Sequence, residues 1–170
     1  IRPLPAFNIG GSVVWGKHPE STFIVTSFLG QTFADTRQAT TWRAGGHLDR
    51  LGVTAVSVDP IRAGSCGIAA PVEVASLGGG AVSLTTKAVV NCDIAATLAT
   101  FMRDTVDPIA RRKLGGSVTD IRIAATYACR TRNSVKGAKL SEHAKGNAVD
   151  ISAFMVKGEW IVVGGKNGLA

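Results

Sequence analysis

The chain has 170 residues, 45% of them hydrophobic and 18% charged, with a mean hydropathy of +0.21. That length suits one domain able to bury roughly two-thirds of its unfolded surface, and the hydropathy excludes a disordered chain. A formal charge of +7, from 19 Lys and Arg against 12 Asp and Glu, favours anionic partners such as nucleic acid, acidic lipid or an anionic wall polymer.

No stretch reaches the roughly 18 apolar residues of a transmembrane helix. Ile1 to Phe7 lacks the charged and apolar regions of a signal peptide. Residues 1–44 show no sustained period of 2 or 3.6, and polar runs such as Gln31 to Thr41 separate short apolar pieces. They read as an extended arm or irregular N-terminal extension. Residues 45–170 read as the folded domain.

Leu48 to Gly52 suggests a short helix closed by glycine, and Val53 to Val58 a β-branched strand. Val72 to Val74 is a short apolar piece. Gly78 to Gly80 is a turn, because no Lys-Ser/Thr follows it as a phosphate loop requires. Ala81 to Thr85 reads as a strand, and Lys87 to Val90 leads into Asn91-Cys92-Asp93. From Asp93, Ile94, Leu98, Phe101, Met102 and Val106 recur at three- and four-residue spacing, which places them on one helix face. Asp107-Pro108 either starts a second helix over Pro108 to Leu114 or kinks a single one. Arg111-Arg112-Lys113 is a solvated basic helix end rather than a nucleic-acid surface, because no aromatic residues interleave with it. Val118 to Ala124 and Ala148 to Val156 read as strands. Lys157-Gly158 turns into Glu159 to Val163, and Gly164 to Ala170 forms a glycine-rich tail.

The twenty glycines and six prolines, with these mixed elements, imply an α+β fold: an antiparallel sheet backed by helices over about 93–114. Three cysteines, Cys66, Cys92 and Cys129, lack zinc-knuckle spacing. They allow one disulfide and a free thiol, or three thiols. Trp15, Trp42 and Trp160 suit buried anchors or a glycan groove. Glu159 suits a solvated charge or a general base.

The chemical signal is Ser141 to Asp150, SEHAKGNAVD. A loop histidine, His143, and a carboxylate at a strand start, Asp150, can converge on one point, and both are good zinc ligands. Gly146 and Ala148 let the backbone turn closely between them. On spacing alone, such a pair is more usually a surface pair or a loop hydrogen bond.

The string S-x-H-x-x-G-x-A-x-D resembles the zinc signature of D-Ala-D-Ala carboxypeptidases and the LAS metallopeptidases. A longer ordered pattern resembles the bacterial extensin-like C-terminal domain family. It includes Leu48-x-x-Leu51-Gly52-Val53, Cys66-Gly67, Pro71-Val72, Asn91-Cys92, Pro108 to Leu114, Tyr127-Ala128-Cys129-Arg130 with Asn133, and Leu140 to Ile151. It covers about 47–163. The resemblance implies a D-Ala-D-Ala metallopeptidase-like core and zinc held by His143 and Asp150. Arg130 would steady an oxyanion, and Ser141 would orient the histidine or substrate.

The implied activity is hydrolysis of peptidoglycan peptide bonds by zinc-activated water in the periplasm or cell envelope. The alternative is a non-catalytic wall-binding or assembly component, docking to other protein subunits of an envelope-associated assembly. Nucleic acid is an unlikely partner on charge alone.

Two departures from the pattern stand out. No histidine follows His143, where the family supplies a third ligand. His18, His47, Glu159, a partner chain or a longer form of the chain would have to provide it. His47 also stands where the family often has a cysteine. Cys92 precedes the main helix and Cys129 follows a core strand, so these two are expected to pair across about 37 residues, tying helix to site loop and leaving Cys66 as the odd thiol.

Overall fold

The computed structural model describes residues 20–28, 31–38 and 44–163, with side chains from His47 onward. Trp15, His18, Trp42 and the glycine-rich tail lie outside the described residues. Within the N-terminal extension, β1 (Glu20–Phe28) pairs antiparallel with β2 (Gln31–Gln38). The sequence expectation of an extended or irregular arm missed this pairing, because neither run alternates cleanly between apolar and polar.

Helix α1 (Ala44–Arg50) leads through Gly52 to strand β3 (Thr54–Ser57). Gly52 has φ +67, and a Cβ there would meet the Gly79 nitrogen at 2.7 Å, so the turn requires glycine. A short hairpin follows, β4 (Ile61–Ala63) with β5 (Cys66–Ile68). Then come β6 (Pro71–Leu77) and the long β7 (Val82–Asn91). Lys87 Nζ bridges to Glu73 Oε1 across this pair at 2.8 Å.

Asn91 caps helix α2 (Cys92–Phe101), its side-chain oxygen accepting from the Ile94 N–H at 2.9 Å. Ile94, Leu98 and Phe101 are buried as the spacing requires, and α2 packs on β6, β7 and α1. A π turn over Met102–Val106 carries the chain without a break into α3 (Asp107–Leu114). Val106 and Asp107 both keep right-handed helical angles, so the kinked single helix is the alternative that forms. The π turn lies just before Pro108, which cannot donate to the helical ladder. Asp107 is thereby freed from capping. Its Oδ1 accepts from the Val118 N–H at 3.0 Å, and its Oδ2 pairs with Arg111 Nε at 2.7 Å.

Strands β8 (Val118–Ala125), β9 (Asp150–Val156) and β10 (Glu159–Val162) complete a six-stranded sheet in the order β10-β9-β8-β7-β6-β3. The sheet is mixed rather than antiparallel as expected, because β7 and β8 run parallel. The helical crossover α2–α3 returns the chain to the same end before β8 begins, and a parallel pair needs such a connection. One layer of helix and one of sheet enclose the core, with Val74, Val90, Leu98, Val106 and Ile121 fully buried between them. Trp160 is half-buried, with the Arg122 guanidinium 4.1 Å above its ring. Glu159 is exposed on β10. No helix among the described residues is long and apolar enough to cross a membrane.

The disulfide joins Cys66 to Cys129, not Cys92 to Cys129 as expected. The hairpin β4–β5, which the sequence reading did not anticipate, carries Cys66 to the exit of β8, where the Cα atoms of Cys66 and Cys129 lie 5.6 Å apart. Cys92 opens α2, with its thiol toward the Ala70 carbonyl. Burial, and secondarily the charge of Asp93, push that thiol above its ordinary value. The bond spans 63 residues and stabilises by about 4 kcal/mol in the chain-entropy model. Alkylation in denaturant without reductant should therefore add one label, at Cys92. Reduction, or paired replacement of Cys66 and Cys129 by Ala, should lower the unfolding free energy by about that amount. A second label without reductant, or an unfolding midpoint indifferent to reductant, would contradict this assignment.

Candidate functional site

The register of β8 and β9 builds the site. Asp150, first in β9, stands opposite Ala125, last in β8. The chain leaving β8 through Thr126 to Arg130 therefore passes the start of β9. The segment 131–140 leaves and returns as a hairpin, closed by a Thr131–Leu140 bridge and by the Ser141 N–H donating to the Arg130 carbonyl at 3.0 Å. A 3-10 turn over Glu142–Lys145 follows, and it returns His143 to the β8 exit. There the Ala128 N–H donates to the His143 carbonyl at 3.3 Å.

His143 is 7% exposed. Its Nδ1 lies 2.6 Å from the Thr126 carbonyl and its Nε2 lies 3.2 Å from Asp150 Oδ2. A carbonyl can only accept, so Nδ1 carries a proton and donates it. In the neutral ring Nε2 then presents its lone pair toward Asp150. The Asp150 side chain is 37% exposed, so the pair opens to solvent on the carboxylate side.

The hydrogen bond to Asp150 chiefly raises the histidine's proton affinity, and burial opposes it. Thr126 and the carboxylate charge add to the rise, while the nearby Arg130 charge lowers it, leaving the ring above its ordinary value. Arg130 is half-buried and reaches the Thr131 carbonyl at 3.5 Å. Ser141 is buried at the head of the 3-10 turn, and its hydroxyl does not cap that turn.

A second layer of polar residues anchors the loop, and the sequence reading gave none of them a role. Asn147 donates to Glu142 Oε2 at 3.0 Å, and its side-chain oxygen accepts from Asn91. Asn91 is the residue that caps α2. Lys145 pairs with Glu142 Oε1 at 3.1 Å. Burial pushes the Glu142 carboxyl up. The bonds from Asn147 and Lys145, with the charges of Lys145 and Arg132, more than offset that and hold it below the usual carboxylate value. The link from Asn91 to Asn147 spans 56 residues and left no local signal. The Tyr127 hydroxyl is buried and has no hydrogen-bond partner among the described residues.

The donor set fits a zinc site in part. A protonated Nδ1 held by a backbone carbonyl is the arrangement that fixes a metal-binding imidazole, and Asp150 faces the free nitrogen. A catalytic zinc takes three protein ligands, and no group of three His, Cys, Asp or Glu side chains able to hold a metal stands among the described residues. His47 and Glu159 therefore do not complete the set, and the described residues alone do not make a full site.

Residues 45–168 match the family model described as Extensin-like protein C-terminus. The chain belongs to that family. No curated protein and no solved structure matches it.

Two outcomes follow from this geometry. Gly146 has φ +68, and a Cβ there would come within 2.3 Å of Ile68 Cδ1 and 3.1 Å of the Asn91 nitrogen. Gly146→Ala should cost about 1–3 kcal/mol in denaturant unfolding. A loss below a few tenths would mean that the loop does not sit this tightly. In metal-free protein, protonated His143 adds stability at pH below 6.5, its ordinary value, and the gain is lost as pH rises through the raised folded value. Asp150→Asn should flatten that part of the stability–pH curve, and an unchanged curve would remove the ion pair from the account.

Proposed function

We propose that the domain is a peptidoglycan-directed peptidase-type domain of the bacterial envelope, centred on His143 and Asp150. The observation that carries this reading is the approach of His143 Nε2 to Asp150 Oδ2 at 3.2 Å, with Nδ1 fixed by Thr126. A bound zinc would supply Lewis-acid activation of water. His143 would hold its lone pair at one position without ring rotation. Asp150 would keep the pair open to solvent. Arg130 would place a fixed positive charge beside them, suited to an oxygen that gains negative charge. The buried Ser141 would orient the histidine or the substrate. A zinc ligand set would be completed from outside the described residues, by His18 or by a partner chain. The Cys66–Cys129 disulfide supports an oxidising, extracytoplasmic compartment.

The lack of a three-donor group among the described residues favours a second reading, a non-catalytic wall-binding or assembly component on the same fold. Equilibrium dialysis against zinc, run beside release of soluble peptides from purified peptidoglycan, separates the two. The peptidase reading expects near-stoichiometric zinc in the whole chain, lost in His143→Ala and Asp150→Asn. It also expects Arg130→Ala to lower turnover about 10²–10³-fold with zinc retained. Absence of both zinc and peptide release would leave the non-catalytic reading.

A further inference from the structure

The hairpin over residues 131–140 buries none of its side chains. It adds nothing to the core, yet it is closely ordered. The Arg132 N–H donates to the Lys139 carbonyl at 2.9 Å, the Val135 N–H to the Arg132 carbonyl at 3.1 Å, and Thr131 Oγ1 to the Val135 carbonyl at 2.7 Å. Asn133 and Ser134 hold φ of +52 and +59 at its tip, angles that non-glycine residues seldom adopt. Val135 is left 57% exposed beside them. An ordered, coreless excursion inserted between Arg130 and Ser141 is where a rigid scaffold presents a binding element.

Its charge is one-sided. Residues 130–145 contain Arg130, Arg132, Lys136, Lys139 and Lys145, with Glu142 the sole acidic residue. Five of the chain's 19 basic residues and one of its 12 acidic ones thus fall in this stretch, so these 16 residues carry +4 of the chain's +7. Glu142 is already engaged by Lys145 and Asn147. Arg132, Lys136 and Lys139 are exposed.

We infer that the 131–140 hairpin is the recognition surface of the His143–Asp150 site for a carboxylate-bearing peptide strand. Arg132, Lys136 and Lys139 engage its carboxylates, and Val135 covers an apolar side chain beside them. The inference rests on the reading above for the location of the site. It adds the class of ligand: a peptide with several free carboxylates, such as the stem peptides of wall polymer. Guanidinium and ammonium groups on a fixed hairpin select for anionic spacing and speed encounter, more than they add tight affinity.

The test is co-sedimentation of the whole chain with purified peptidoglycan sacculi, and with the same sacculi after their carboxylates are amidated by carbodiimide and ethanolamine. Wild-type binding should fall about tenfold on amidation and weaken with added salt. The triple variant R132Q/K136Q/K139Q should lose a similar factor on native sacculi, with an unchanged thermal midpoint because these side chains are exposed. The triple variant R111Q/R112Q/K113Q, remote in α3, should bind as wild type. Equal binding of native and amidated sacculi, or an unaffected hairpin variant, would overturn the inference. So would an equal loss in the α3 variant, because binding would then follow net charge alone. Zinc and peptide release are read separately, so the hairpin can pass this test even if the peptidase reading fails.

Discussion

The docking of the Gly146 backbone against Asn91 and Ile68 is the contact on which the site depends. The Asn91 N–H donates to the Gly146 carbonyl at 3.0 Å, and the Asn91 side chain both caps α2 and meets Asn147. One asparagine therefore joins the end of β7, the start of α2 and the loop that holds His143. The loop lies close enough to Ile68 that a Cβ on Gly146 would force the Ile68 side chain aside. Ile68 belongs to β5, and the disulfide two residues earlier fixes β5 to the residue before Arg130. The three site segments are thus held together by a backbone contact, a helix cap and a covalent bond.

Elements with many residues of one period were readable. The buried face of α2 and the strands over 118–125 and 150–156 follow the apolar spacing seen in sequence. The reading split residues 81–90 into two pieces, yet β7 is one strand. Exposed Thr85, Thr86 and Lys87 interrupt its apolar pattern without ending its pairing. The hairpin β4–β5 was missed because three-residue strands leave no period to detect. That omission also misplaced the disulfide, since Cys66 reaches Cys129 only on that hairpin. The parallel pairing of β7 and β8 depends on where the crossover returns, which periodicity does not encode.

The approach of His143 and Asp150 was the most legible part of the site, because a loop followed by a strand fixes both within ten residues. The anchoring of the histidine by the Thr126 carbonyl was not legible, since any residue offers that acceptor. The Glu142–Asn147–Asn91 chain was hidden for the opposite reason: its members are distinctive, but only the fold brings Asn91 to the loop.

The order of the three cysteines along the chain has a consequence for biogenesis. The loop closed by Cys66 and Cys129 contains β6, β7, α2, α3 and β8. In a chain that emerges N-terminus first into an oxidising space, Cys92 appears before Cys129 and is the first thiol that Cys66 meets. A premature bond between those two would draw the start of α2 onto the β4–β5 hairpin and leave Cys129 unpaired. Correct maturation therefore requires either that oxidation wait until β8 has been delivered, or that thiol–disulfide exchange reshuffle the early bond. In the folded domain Cys92 is left as the half-buried free thiol at the start of α2, and the bond joins the other two cysteines.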